Sequence, residues 1–480
     1  MATNTNTNTT NSQVVATNVS TCLDANMDLF FIAGASRNLP ESKILALFEK
    51  AQSEDSDIFL RLVNWARDVR GGAGERRFYR LGLKFLAKTN HPKTLDFMEK
   101  TPELGRWDDL FVVFETDNVA AHQKALEMID TALKAGNGLC AKWMPRDTNK
   151  KARVVATKIR NHMGLDPRAY RKLIVGLSNT VEQAMCAGNW DQIEYGKIPS
   201  VASARYRSAF GRHDYEGYNE YLGKVEKGEA KINADAVFPH DVIRECNLGW
   251  GGINVSATAA RAMDAQWNAL PDYLAELDDK VAMLPMCDVS GSMSTGVGSG
   301  NLTCMHVAMG LTVYLAERNQ SFFKDYFITF SERPKLHKIV GKTIVEKLNN
   351  IAQTAAYSTN INAAFKMLLA EAVKNNVSAD DMPKSVVILS DMAFNCGSVG
   401  GLSHHESIKK QYAQAGYTMP NVVYWNINAQ GGGAPVKYDE KGVALVSGFS
   451  PSIAKMVLSG NLADPTQIML KTISNERYKV

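Results

Sequence analysis

Two hydrophobic periods divide this chain. From Leu23 to about Cys246 apolar positions fall three and four apart, as in Ile44, Leu45, Leu47 and Phe48, and again in Ile58, Phe59, Leu62, Val63 and Ala66. The same spacing predicts helices over Phe78 to Leu86, Ala120 to Ala135, Val154 to Met163 and Ala169 to Leu177, separated by Gly, Asn or Pro breaks. Each such helix has one apolar stripe to bury, and stacked helix pairs bury it. Near Val281 the pattern changes to short β-branched or apolar runs. Val281 to Cys287, Phe323 to Phe330, Ser385 to Leu389 and Asn421 to Ile427 read as strands, and Leu302 to Glu317, Ile344 to Ala352 and Ile361 to Lys374 as helices between them. That alternation implies a mostly parallel sheet covered on both faces.

A chain of 480 residues exceeds the roughly 250 to 300 at which one core stops growing. The reading is therefore a tail over residues 1–20, whose Thr and Asn offer no apolar face, a helical-repeat domain over 21–275, and an α/β domain over 276–480. The boundary is expected between Cys246 and Lys280. A 45% hydrophobic and 22% charged composition is that of a globular protein, not a disordered or fibrous one. The seven cysteines are odd in number and contain no Cys-x-x-Cys pair, which argues for reduced, mostly buried thiols. With no apolar run of about 18 residues and no signal-peptide pattern, the expectation is a cytoplasmic protein without a membrane role.

Candidate chemistry gathers after the first strand. It runs directly into Asp288-Val-Ser290-Gly-Ser292, which puts a carboxylate and two hydroxyls on one loop at the carboxyl end of a strand, where open α/β sheets bind ligands. Hard oxygen donors suit Mg²⁺ or another divalent cation. Two more pieces follow: Tyr357-Ser358-Thr359-Asn360 between two helices, and Ser390-Asp391 at the end of a strand. Together they resemble the metal-ion-dependent adhesion site of von Willebrand factor A-type domains. The resemblance implies that Ser290, Ser292 and Thr359 are direct ligands, that Asp288 and Asp391 act through waters, and that a sixth position stays open for an acidic group from a protein partner. Asn360 departs from the pattern, standing where many such domains carry an acidic residue.

The net charge of +4 does not announce nucleic acid, but it hides a local excess. Between residues 142 and 172 lie Lys142, Arg146, Lys150, Lys151, Arg153, Lys158, Arg160, Arg168, Arg171 and Lys172, opposed by Asp147 and Asp166. Trp143, His162 and Tyr170 are interleaved, and cations beside aromatic rings are what single-stranded RNA needs. Arg205, Tyr206, Arg207, Arg212 and His213 form a second cluster. Solvated helix faces with Trp143 in the core are the competing reading. Arg67, Arg70, Arg76 and Arg77 surround a glycine turn at Gly71, Gly72 and Gly74, where Asp68 and Glu75 are candidate structural partners.

Three segments resemble the TROVE-module proteins, the Ro autoantigen group: Arg67-Asp-Val-Arg-Gly-Gly-Ala-Gly-Glu-Arg76, Gly105-Arg-Trp-Asp-Asp-Leu110 and Ala184-Met-Cys-Ala-Gly-Asn-Trp190. Lys231-Ile-Asn-Ala234, Val423-Tyr-Trp-Asn426 and Ser447-Gly-Phe-Ser450 suggest a sister family of uncharacterised bacterial, phage and eukaryotic proteins. The resemblance covers Leu23 to Val480. It implies HEAT-like repeats closed into a ring by a Rossmann-like von Willebrand factor A domain. It also implies a ribonucleoprotein role, with single-stranded ends or small noncoding RNA bound in RNA stability or quality control. The alternative is a scaffold that captures an acidic partner at the metal. Catalysis is not expected: only Asp288 and Asp391 are carboxylates at the site, too few for a two-metal nuclease. The adjacent His404 and His405 face different ways on a helix and read as surface residues.

Overall fold

The computed structural model describes residues 24–146, 149–178, 180–248, 253–275, 282–297, 301–354, 360–391, 405–428, 442–449, 453 and 465–480. Helices dominate up to residue 268, and many begin where the local sequence supplies a cap. Asp55 Oδ1 accepts the Asp57 and Ile58 amides ahead of the helix Ser56–Arg67. Asn118, Asn149 and Asp166 do the same for Val119–Lys134, Lys150–His162 and Pro167–Leu177. A short side-chain oxygen satisfies amides the helix itself leaves unpaired.

Six strands follow: β1 (Met283–Cys287), β2 (Tyr326–Thr329), β3 (Leu336–Lys338), β4 (Ser385–Ser390), β5 (Asn421–Asn426) and β6 (Val443–Ser447). Their order is β3-β2-β1-β4-β5-β6, parallel throughout except for β3, which runs antiparallel to β2 at one edge. β1, β4 and β6 are buried along their whole length, which is why β1 and β4 read as largely apolar runs. β3 and β6 were not anticipated: β3 is three half-polar residues, below the length at which period two shows. β2 is shorter than the run Phe323 to Phe330, because Asp325 takes a left-handed conformation at φ 65° and begins the strand late.

The helical segment starts and ends against this sheet. At its start, Gly34 N donates to Ser447 Oγ at 3.0 Å, and that hydroxyl donates to Phe30 O. Gly34 is obligatory: a Cβ there would lie 2.4 Å from the Gly448 Cα and the Ser447 carbonyl. Further along, Asp68 receives Arg477 Nε at 2.9 Å and the Tyr478 hydroxyl at 3.1 Å. At the other end, the helices Pro239–Ile243 and Ala257–Asn268 lie on Cys304–Arg318 and Ile344–Ala352. Here Trp267 Nε1 donates to Glu317, Tyr314 OH to Pro271 O, and Ile344 N to Asp264. The helical chain thus leaves the α/β unit and returns to it, and one continuous core joins them. Two smaller cores lie between: one around Ile129, Cys140, Ile159 and Ile174, the other around Tyr195, Phe210, Tyr218 and Leu222. No helix among the described residues is long and apolar enough to cross a membrane.

Candidate functional site

The reversal of strand order places a crevice at the carboxyl ends of β1 and β4, because the chain moves to one side of β1 through β2 and β3 and then to the other. Cys287 pairs with Leu389, so Asp288 and Ser390-Asp391 emerge side by side. Both carboxylates are buried, Asp288 at 2% and Asp391 at 1% exposure. Asp288 Oδ1 accepts the Ser290 amide at 2.9 Å, and Asp288 Oδ2 accepts the Ser390 hydroxyl at 2.7 Å. Ser290 Oγ and Ser292 Oγ stand 3.1 Å apart on the following turn. Burial, with a smaller contribution from the Asp391 charge, holds the Asp288 carboxyl above its usual range despite these hydrogen bonds. Two hydroxyls and two sequestered carboxylates form a donor set suited to a small divalent cation, which would offset that buried negative charge.

Thr359 lies outside the described residues, as does His404; of His405 only its place at the start of the helix His405–Gln414 is described. Asn360 caps the helix Ile361–Lys374, its Oδ1 accepting the Ala363 amide at 2.9 Å. A capping role explains a neutral side chain where an acid was considered. Four of the described cysteines, Cys140, Cys246, Cys287 and Cys304, are buried thiols that burial pushes up to about 12, 11, 12 and 12. Cys186 is exposed.

The first basic cluster sits on the helices Lys150–His162 and Pro167–Leu177. Lys150, Lys151, Arg153, Arg168, Arg171 and Lys172 are exposed, and among the described residues no acidic side chain lies within ion-pair distance of any of the six. Arg146 is exposed too, whereas Lys142, Lys158 and Arg160 are half-buried. Lys158 Nζ stands 5.8 Å from the Phe114 ring centroid. Two aromatic assignments need correction. Tyr170 is 4% exposed with its hydroxyl on Pro145 O, so it packs in the core below the cluster. Trp143 is half-buried, and the Arg106 guanidinium already covers its ring at 3.8 Å.

In the second cluster, Arg205, Arg212 and His213 are exposed on the helix Ser200–His213. Arg207 differs from these neighbours: at 1% exposure it is buried in the seam, Nη2 donating to Val242 O at 2.6 Å. His213 stacks on Trp190 with ring centres 4.5 Å apart and planes 12° from parallel. This ring pair brings Trp190 into the cluster; its place in a Gly-Asn-Trp turn was the only hint. The two clusters stand on different small cores.

Arg67, Arg76 and Arg77 of the glycine turn are structural, with partners distant in sequence, whereas Arg70 is exposed. Arg67 pairs with Asp109 at 2.8 Å, both below 4% side-chain exposure, and Arg80 and Arg76 reach the other Asp109 oxygen. Burial opposes the charge on Asp109, yet Arg67 and Arg80 together hold its carboxyl below the usual range. Glu75 pairs with Arg37 and Asp68 with Arg477, not with the adjacent arginines. Gly74, at φ +68°, makes the turn. At the returning seam His240 is buried, and burial outweighs Asp241 at 3.8 Å to bring its imidazole down to about 4.

Residues 145–278 match the family model described as Domain of unknown function (DUF2828), and residues 282–479 match Domain of unknown function (DUF7788). An uncharacterized protein of Acanthamoeba polyphaga mimivirus, L728, is 26% identical over 509 residues, covering 95% of this chain and 85% of that protein. The crystal structure of the Deinococcus radiodurans RO (RSR) protein aligns at 14% identity with a TM-score of 0.41, over 95% of this chain and 100% of that one. The chain is therefore similar along nearly its whole length to a viral relative, and its two family matches meet in the stretch just before β1.

Proposed function

We propose that this protein is a noncatalytic RNA-binding protein whose helical segment, docked at both ends on a von Willebrand factor A-like unit, forms a ring. The carrying observation is the group Lys150, Lys151, Arg153, Arg168, Arg171 and Lys172: six exposed cations on successive helices with no ion pair to an acidic side chain among the described residues, Lys151 feeling Glu115 at longer range. Surface cations on globular proteins are ordinarily interspersed with acids. An uncompensated group attracts polyanions and releases counterions on binding. The likeness of the Arg67–Arg76, Gly105–Leu110 and Ala184–Trp190 segments to TROVE-module proteins supports RNA as the polyanion. Fluorescence anisotropy with a single-stranded RNA and its duplex tests the reading, with tighter binding of the single strand expected. No binding of either at low salt overturns it.

A second reading is favoured by the Asp288, Ser290, Ser292 and Asp391 crevice: a Mg²⁺ ion there, held with Thr359, would offer an open position to an acidic side chain of a protein partner. Its test is Mg²⁺-dependent capture of a purified acidic peptide. Binding that persists in EDTA overturns that role for the metal.

A further inference from the structure

We infer that the seam between the returning helices and the α/β unit holds a binding cleft for a phosphate ester, distinct from the Asp288 crevice and from the basic helices Lys150–His162 and Pro167–Leu177. Two adjoining cavities of about 550 and 670 Å³ share Arg207, Glu245 and Asn301 in their walls. Arg205 and Arg244 line the first, and Arg212 lines the second. Four guanidinium groups thus face two carboxylates, Asp241 and Glu245.

The second observation is Arg207 itself. At 1% exposure it is among the largest fully buried side chains, yet its Nη1 has no hydrogen-bond partner. Nη2 is satisfied by Val242 O, but Nε meets Glu245 only at 3.4 Å, because that carboxylate is held more closely by Ser208 Oγ at 2.8 Å. A buried cation with a long ion pair and an unfilled donor is costly unless something completes it. Arg207 lines both cavities, so an oxyanion bound there would lie beside this incompletely paired cation.

Two features make phosphate the class. The amino end of the helix Ala257–Asn268 contributes Ser256, Thr258 and Ala259 to the same wall, and a helix start favours negative charge. Arginine's planar fork fits phosphate oxygens bidentately. The volume leaves room for more than the bare ion: cavities in the range of about 300 to 1,000 Å³ take nucleotide-sized molecules. The ligand is a nucleotide or an RNA residue bound through its phosphate. In the second case the cleft deepens the RNA reading, on which that case rests.

Isothermal titration calorimetry on the full chain tests this with uridine 5′-monophosphate, uridine, inorganic phosphate and a single-stranded 12-mer RNA. The monophosphate is expected to bind at least about tenfold tighter than uridine, and the double variant Arg205→Gln, Arg244→Gln to lose that preference while keeping its melting temperature. Arg207→Lys keeps the charge but not the fork, and should weaken the monophosphate without abolishing it. Monophosphate binding without 12-mer binding upholds the cleft and sinks the RNA reading. Strong 12-mer binding with no preference of monophosphate over uridine sinks the cleft and leaves the RNA reading standing. Unchanged monophosphate affinity in the folded double variant also overturns the cleft.

Discussion

Ser390 donates its hydroxyl to Asp288 at 2.7 Å, bridging the carboxyl ends of two neighbouring parallel strands with both residues buried. The bond fixes the carboxylate toward the loop bearing Ser290 and Ser292. A residue that orients a metal-site carboxylate without touching the ion changes affinity by about 10- to 100-fold when removed. Ser390→Ala is therefore expected to weaken Mg²⁺ by that factor in calorimetry, and Asp288→Ala with Ser290→Ala to abolish stoichiometric binding in a folded chain. Thr359→Ala should weaken it less, since water replaces a neutral hydroxyl. Undiminished metal content in the Asp288, Ser290 double variant would sink the site.

Asp109 is the shared anchor of Arg67, Arg76 and Arg80. Removing one partner of a buried pair strands the other charge, at about 3 to 5 kcal/mol. Asp109→Ala should lower unfolding free energy by that amount in urea titration, while Lys84→Ala, which removes a partly exposed pair with Glu115, costs less than about 1 kcal/mol. Equal effects would contradict the assignment of Asp109 as a structural hub.

His240 makes a prediction about acid. The unfolded chain takes up a proton as pH falls through about 6.5, whereas the folded chain does so only near 4, because burial first, then Arg37, Arg244 and His306, disfavour the imidazolium more than Asp241 favours it. Its contribution is therefore full above about pH 6.5 and declines as pH falls toward 4, by about 3 kcal/mol in all. His240→Gln should flatten the melting temperature against pH across that window. A profile as steep as wild type would assign the acid sensitivity to other groups.

Lys150, Lys151 and Arg153 head one exposed helix. Replacing all three by Glu should reduce both the affinity for single-stranded RNA and its salt dependence, the slope of log affinity against log salt falling by about 0.7 for each lost phosphate contact. Circular dichroism must show the helical content retained. A triple variant with an unchanged slope would leave that face merely solvated.

Long, strongly patterned elements were legible in the chain: Ile344–Ala352 and Ile361–Lys374 occur as read, and most others differ by a few residues at their ends. The nearness of Asp288 to Ser390 and Asp391 was legible too, since all three lie at strand ends that the apolar runs mark. Contacts between remote segments were not. Nothing local in Arg67-Asp-Val-Arg says that Asp109 is the partner of its first residue or that Arg477 is the partner of its second. Tyr170 and Arg207 show the same limit from the other side: composition groups residues by neighbourhood in sequence, whereas burial is decided by which helix face meets the core.

The bond between Gly34 and Ser447 joins positions 413 residues apart, and it has a consequence for the order of synthesis. At about 5 to 20 residues per second, the helix Ala25–Ala33 leaves the ribosome tens of seconds before the strand it docks on exists. During that interval Phe30 and Phe31, both buried in the finished protein, have no sheet to cover them. Phe30 can meet Trp65 early, with their rings 4.6 Å apart, but the side this helix turns to β6 stays uncovered, and open to chaperones, until that strand is made.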